Sequence, residues 1–146
     1  MPGPERHRGS GGPRACSARI LVGGKLSSVI VPCLTYLDMK LAMPELGDLF
    51  GLEIVWLGDE VAEIRWDDGV AVAQKDHPEL LHGSHVGHGW TYVRVADPDA
   101  HHAHARGRGA RVLNEPHSTP DSRQRGYSTQ DREGNIWTFA IQRFGR

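Results

Sequence analysis

The sequence predicts an α+β fold in which one strand–helix–strand unit is used twice, and three observations predict it. Asp38 and Asp97, each placed to cap a helix, stand 59 residues apart, and the helix-ending Gly51 and Gly109 stand 58 apart. Around each pair the same order recurs (strand, Asp, helix, Gly, strand, hairpin), which marks an internal duplication. The third observation is the end of the chain: Tyr127 to Gln130 and Ile136 to Ile141 read as two strands, joined by a turn from Asp131 to Gly134.

Taken in order, residues 1 to 27 are expected to be a disordered tail, because Gly, Pro, Arg and Ser dominate and apolar residues are sparse before Ile20. Ile20, Leu21 and Val22 are too few for a secretory signal core. Ser28 to Tyr36 is β-rich and reads as a strand, with Pro32 marking an edge or a bulge. Asp38 then caps a helix whose apolar residues, Met39, Ala42, Met43, Leu46, Leu49 and Phe50, keep helical spacing up to Gly51. Pro44 should kink that helix or delay its start. Glu53 to Leu57, Ala62 to Trp66 and Val70 to Gln74 are three short strands, the last two joined by Asp68 and Gly69 as a two-residue hairpin loop.

Lys75 to Gly89 is a polar connector carrying His77, His82, His85 and His88. The pattern then restarts. Trp90 to Val95 is a strand, Asp97 an N-cap with Pro98 at the first helical position, and a polar helix runs to about Arg106, with Gly107 and Gly109 ending it. Arg111 to Asn114 is the next strand, and a loop from Glu115 to Arg125 leads into the final hairpin, whose turn needs φ > 0 at Gly134. In the last strand Trp137, Phe139 and Ile141 share one face and Ile136, Thr138 and Ala140 the other. The bulky face belongs in a core under a helix; the small face can border a cavity.

The bulk numbers fit one soluble domain: 146 residues, 38% hydrophobic and 24% charged. No apolar run is long enough to span a membrane. Cys16 and Cys33 give neither a disulfide framework nor a Cys-x-x-Cys metal site, so a reducing cytoplasm is the expected location. The overall charge of −1 hides an asymmetry, since residues 1 to 25 carry a net +4 and the remainder −5. An acidic body argues against a nucleic-acid groove.

The final strand, Asp-x-x-Gly turn and Trp-x-Phe strand, taken with the internal repeat, resemble the vicinal oxygen chelate superfamily, which includes glyoxalase I and the bleomycin-resistance proteins. The resemblance covers about residues 28 to 142. It implies two βαβββ modules, about 28–75 and 90–142, whose curved mixed sheets pair to form a half-barrel cleft with the ligand inside the curve. It also implies where a metal is held in the metal-dependent members, typically by His, His and Glu. With each N-cap Asp and the last turn as rulers, those places fall on Val31, Trp90 and Thr138. An isopropyl group, an indole and one hydroxyl do not make a divalent-metal site. The resemblance therefore points to the metal-free branch, and neither metal nor cofactor is expected.

Alternation then sorts the strand at Trp90. Thr91, Val93 and Val95 suit the core, which leaves Trp90, Tyr92 and Arg94 on the concave side, joined by Val31, Cys33 and Thr35 from the first strand and Thr138 from the last. Aromatic faces with a few polar groups suit a flat or amphipathic small molecule, and Arg94 suits a carboxylate, a phosphate or a ring. The same residues would also serve to fill the space between modules or to form a dimer contact. Trp56 and Trp66 are left undecided between cavity and core. Glu63 and Arg65 share a face expected to meet solvent or a neighbouring strand. The histidines of the second helix, His101, His102 and His104, are expected to titrate at the surface, and Glu115 with His117 is a candidate acid/base pair.

The reading that follows is a metal-independent binder of an aromatic or amphipathic small molecule, a homodimer, for which the resemblance implies sequestration of an antibiotic or other natural product. The rival is a lyase, isomerase or dioxygenase of the same fold with a divalent metal on unorthodox ligands such as His85 or His88. A small-molecule sensor is a third reading.

Overall fold

The computed structural model describes residues 30–121 and 124–142, together with the backbone of Leu21–Val22 and Lys25–Leu26. Those two dipeptides pair antiparallel as β1 and β2. They fall within the stretch expected to be a tail, and the rest of that stretch lies outside the described residues.

The first module comprises β3 (Cys33–Tyr36), α1 (Met39–Phe50), β4 (Glu53–Trp56), β5 (Val61–Trp66) and β6 (Gly69–Lys75). A single helical turn, α2 (Pro78–Leu81), interrupts the connector that the sequence reading leaves without structure. The second module comprises β7 (Trp90–Arg94), α3 (Pro98–Gly107), β8 (Arg111–Val112), β9 (His117–Thr119), β10 (Gln124–Gln130) and β11 (Ile136–Gln142). β9 is an addition, lying in what reads as loop.

The sheets run in the order β3-β6-β5-β4 and β7-β11-β10-β8, with β9 also on β10. In each sheet the first and last strands of the module are parallel. Every other pairing within the two sheets is antiparallel. The duplication read from the spacing of Asp38 and Asp97 is thus a duplication of topology, and the two mixed sheets remain separate rather than closing into a barrel.

Local chemistry sets the helix ends. Asp38 accepts from the Leu41 N–H at 3.1 Å and Gly51 ends α1 with φ 73°; Asp97 accepts from the Ala100 N–H at 3.0 Å at the head of α3. Pro44 neither delays α1 nor stops it, for the helix begins at Met39. Its ring is exposed, so the one intrahelical bond it removes belongs to a turn that water can reach. The hairpin between β5 and β6 differs by one residue from the expected loop. Trp66 pairs with Gly69, so the loop is Asp67 and Asp68, with Asp67 at φ 51°. A one-residue slip would turn Ile64 and Trp66 to the wrong face, and burial of Ile64 decides the register.

The core lies between the helices and one face of each sheet. Trp137 is 1% exposed and Phe139 fully buried. Phe50 of α1 packs on both, with ring centroids 6.5 and 5.2 Å apart. The core therefore crosses from one module to the other.

The turn between β10 and β11 fastens that crossing. Asp131 accepts from the Tyr36 hydroxyl at 2.7 Å, from Trp137 Nε1 at 3.1 Å and from the N–H groups of Glu133 and Asn135. Burial, and then the charge of Asp131, push the Tyr36 hydroxyl well above its ordinary pKa. Glu133 accepts from the backbone N–H groups of Leu37 and Asp38 at the entrance to α1. Gly134 has φ 103°, as the turn requires.

Candidate functional site

Strand alternation divides β7 cleanly. Val93 is buried on the helix side, while Trp90, Tyr92 and Arg94 stand opposite Ile136, Thr138 and Ala140 on the face away from the helices. On this open face Trp90 is 63% exposed and Tyr92 51%. Their rings are near parallel, 15° apart in plane with centroids 6.5 Å apart. Two large rings exposed side by side on one strand form an apolar patch on this face.

The indole is held in place. Trp90 Nε1 donates to Thr138 Oγ1 at 2.9 Å, and Thr138 Oγ1 lies 2.7 Å from Ser128 Oγ. An indole nitrogen only donates, and Thr138 is buried, so its own hydroxyl proton needs an acceptor. Ser128 Oγ is the one in reach, so the series runs Trp90 to Thr138 to Ser128, and the half-buried Ser128 hydroxyl is left to donate outward. Sequence reasoning omits Ser128. The signal is in the final turn: once Gln130 pairs with Ile136, Ser128 must stand opposite Thr138.

The seven candidate residues come from the two sheets. Trp90, Tyr92, Arg94 and Thr138 share the open face of module two. Cys33 and Thr35 stand opposite Val72 and Gln74 in the other sheet, and Val31 lies just before them. β3 and β7 are terminal strands of separate sheets, and Ile30 and Pro32, on either side of Val31, line one cavity with Tyr92 and Arg94. Module one's open face is small and carries a buried charge: Glu63 is 1% exposed, with Arg65 donating to it from Nε at 2.9 Å and from Nη2 at 2.6 Å. That pair, expected to meet solvent or another strand, satisfies itself.

A cavity of about 410 Å³ adjoins Tyr92 and Arg94 at the seam between the modules. Leu52, Ile64, Trp66 and Trp137 contribute walls, and Asp67 and Asp68 border it from the β5–β6 loop. It takes in neither Trp90 nor Thr138, nor Val31, Cys33 or Thr35, so it flanks the open face. Trp66 is half-buried here, with its ring edge-on to His101, whereas Trp56 is exposed. Arg94 forms no ion pair or hydrogen bond among the described residues and stands between cavity and open face.

The histidines of α3 depart from expectation. His101 donates from Nε2 to the Phe50 carbonyl at 2.9 Å and takes the Tyr127 hydroxyl on Nδ1 at 2.7 Å. Burial holds it below the ordinary histidine pKa, and burial raises Tyr127. His104 reaches the Asp48 carbonyl at 3.2 Å. Both side chains reach backbone carbonyls of the first helix, His101 from a half-buried position and His104 from an exposed one. The offset between the N-caps is the signal, for it maps His101 and His102 onto the buried Ala42 and Met43. His117 meets the Glu115 carbonyl at 3.1 Å, while the Glu115 carboxylate lies toward His102 and Arg106, so no acid/base pair forms. Among the described residues no group of three or more His, Cys, Asp or Glu is placed to hold a metal ion, His82, His85 and His88 included.

The family model of the glyoxalase/bleomycin resistance protein/dioxygenase superfamily matches residues 36–139, most of the chain. The chain belongs to that superfamily. Solved structures share its fold. TioX from Micromonospora sp. ML1 is 24% identical with a TM-score of 0.68, over 80% of this chain and 99% of that one. A glyoxalase/bleomycin resistance protein/dioxygenase from Nocardioides is 14% identical with a TM-score of 0.62, over 92% and 96%. A glyoxalase/bleomycin resistance protein from Catenulispora acidiphila is 19% identical with a TM-score of 0.61, over 78% and 97%. No curated protein matches the chain by sequence. No helix among the described residues is long and apolar enough to cross a membrane.

Proposed function

We propose that this superfamily member, a single domain over residues 28–142, binds a flat aromatic or amphipathic small molecule on the open face of module two without a metal ion. The observation that carries the reading is the exposed, near-parallel pair of Trp90 and Tyr92, with the indole anchored on Thr138. Ring faces held at fixed orientation lose little entropy when a flat ligand stacks on them, which favours binding over mere surface exposure. A second copy of the chain covers the remaining open surface in a homodimer. Sequestration of an antibiotic or related natural product in the cytoplasm is the biological role this site suits, with no part for nucleic acid.

Two measurements test this. Thermal-shift screening of natural products and metabolites, with and without a chelator, is expected to yield hits that survive the chelator. Trp90→Ala should abolish binding of those hits while moving the melting temperature little, since an exposed ring contributes within about 0.5 kcal/mol to stability. Unchanged affinity in Trp90→Ala places the site elsewhere. Stoichiometric zinc, nickel, manganese or iron in protein purified without added metal defeats metal independence and favours the lyase, isomerase or dioxygenase chemistry of other members.

A further inference from the structure

The open face of module two has a charge character opposite to that of the chain. Its strand register places Arg94 at one edge, Arg111 opposite Gln130, and His117 opposite Gly126. Thr119, Gln124, Ser128, Gln130 and Thr138 are other polar side chains on it, and the described strand residues of this face include no carboxylate. The centre of the face is small: Gly126 stands opposite Ala140, where an added Cβ would come within 2.5 Å of the Ala140 Cβ. Arg94 and Arg111 are exposed, and neither guanidinium has a partner among the described residues. Along β7, alternate residues rise roughly 7 Å per pair, so a ring stacked on Tyr92 brings a ring substituent within reach of Arg94.

Resting on the site proposed above, we infer that its occupant is an aromatic acid: the ring lies on Trp90 and Tyr92, an anionic group pairs with Arg94, and a hydrogen-bond acceptor meets the outward hydroxyl of Ser128. A free guanidinium beside ring faces suits a planar carboxylate, which it can bind through two parallel N–H donors. Asp67 and Asp68 are the carboxylates to be weighed against this. They border the seam cavity on the flank of β7, make no ion pair with Arg94, and do not belong to the sheet that carries Thr138 and Ser128.

The test uses three probes of one ring system, 2-naphthoate, 2-naphthamide and 2-naphthyltrimethylammonium, titrated calorimetrically into the full chain and into R94Q and W90A. Naphthoate should bind tighter than naphthamide by on the order of tenfold, the size of one exposed charge-assisted contact, and the cation weakest. R94Q should bring naphthoate to within about twofold of naphthamide, and the wild-type preference should shrink with added salt. W90A should lose all three. Equal binding of acid and amide, or tightest binding of the cation because Asp67 and Asp68 set the field, overturns the acid while the ring-binding reading survives. Binding of none of the three, or undiminished binding to W90A, overturns both.

Discussion

The two modules share one topology and put their bulk in opposite places. In module one the helix is heavy: Ala42, Met43, Leu46 and Phe50 of α1 are buried, over Ala71 and Ala73 of β6. In module two the equivalent strand positions hold Trp137 and Phe139, and α3 offers His101, His102 and Ala105 against them. Each module is thin where the other is thick, so neither encloses a core of its own. The open faces are unequal too. Cys33, Val72 and the paired Glu63 of module one correspond to Tyr92, Thr138 and Ser128 of module two, so only the second face presents rings. Duplication supplied two equivalent surfaces, and divergence gave one the core strand and the exposed rings.

The sharpest way to break this comparison is at Trp137. Trp137→Ala should cost about 3 to 5 kcal/mol, because a fully enclosed ring leaves a cavity shared by both modules. Urea unfolding measures it, and a loss under about 1 kcal/mol would mean the strand is not the common core. Next comes His101, which occupies the place of a small core residue yet makes two hydrogen bonds. His101→Ala should cost about 2 kcal/mol by leaving the Phe50 carbonyl and the Tyr127 hydroxyl without their partner.

Its pH dependence is smaller and has a definite sign. Burial lowers the folded pKa of His101, so protons favour the unfolded chain. Its stabilising contribution is complete above the ordinary value of about 6.5 and is lost as pH falls through the folded value. The melting temperatures of wild type and His101→Gln should therefore differ most near about pH 8 and converge toward about pH 5. A gap that widens on acidification would show that the imidazole is held protonated in the fold. The smallest expected effect on stability, with the largest on binding, is that of Trp90→Ala.

Much of this organisation is legible in the sequence, because it depends on local chemistry. Capping aspartates, helix-ending glycines and the sidedness of Trp137 and Phe139 follow from short-range sterics and alternation. What is not legible depends on partners distant in the chain. His101 looks like a surface residue until the Phe50 carbonyl and the Tyr127 hydroxyl are brought to it. Alternation also put the four module-two candidates, Trp90, Tyr92, Arg94 and Thr138, on one face of their sheet.

Glu133 and Asp131 complete the first half of the chain from the second. Tyr36 and the entrance to α1 find their acceptors some 95 residues downstream. During synthesis at roughly 5 to 20 residues per second, the first half waits on the order of 5 to 20 s for those carboxylates to leave the ribosome. Until then the aromatic hydroxyl and the opening turn have only water to bond. The first half therefore gains these acceptors only once the final turn has been made.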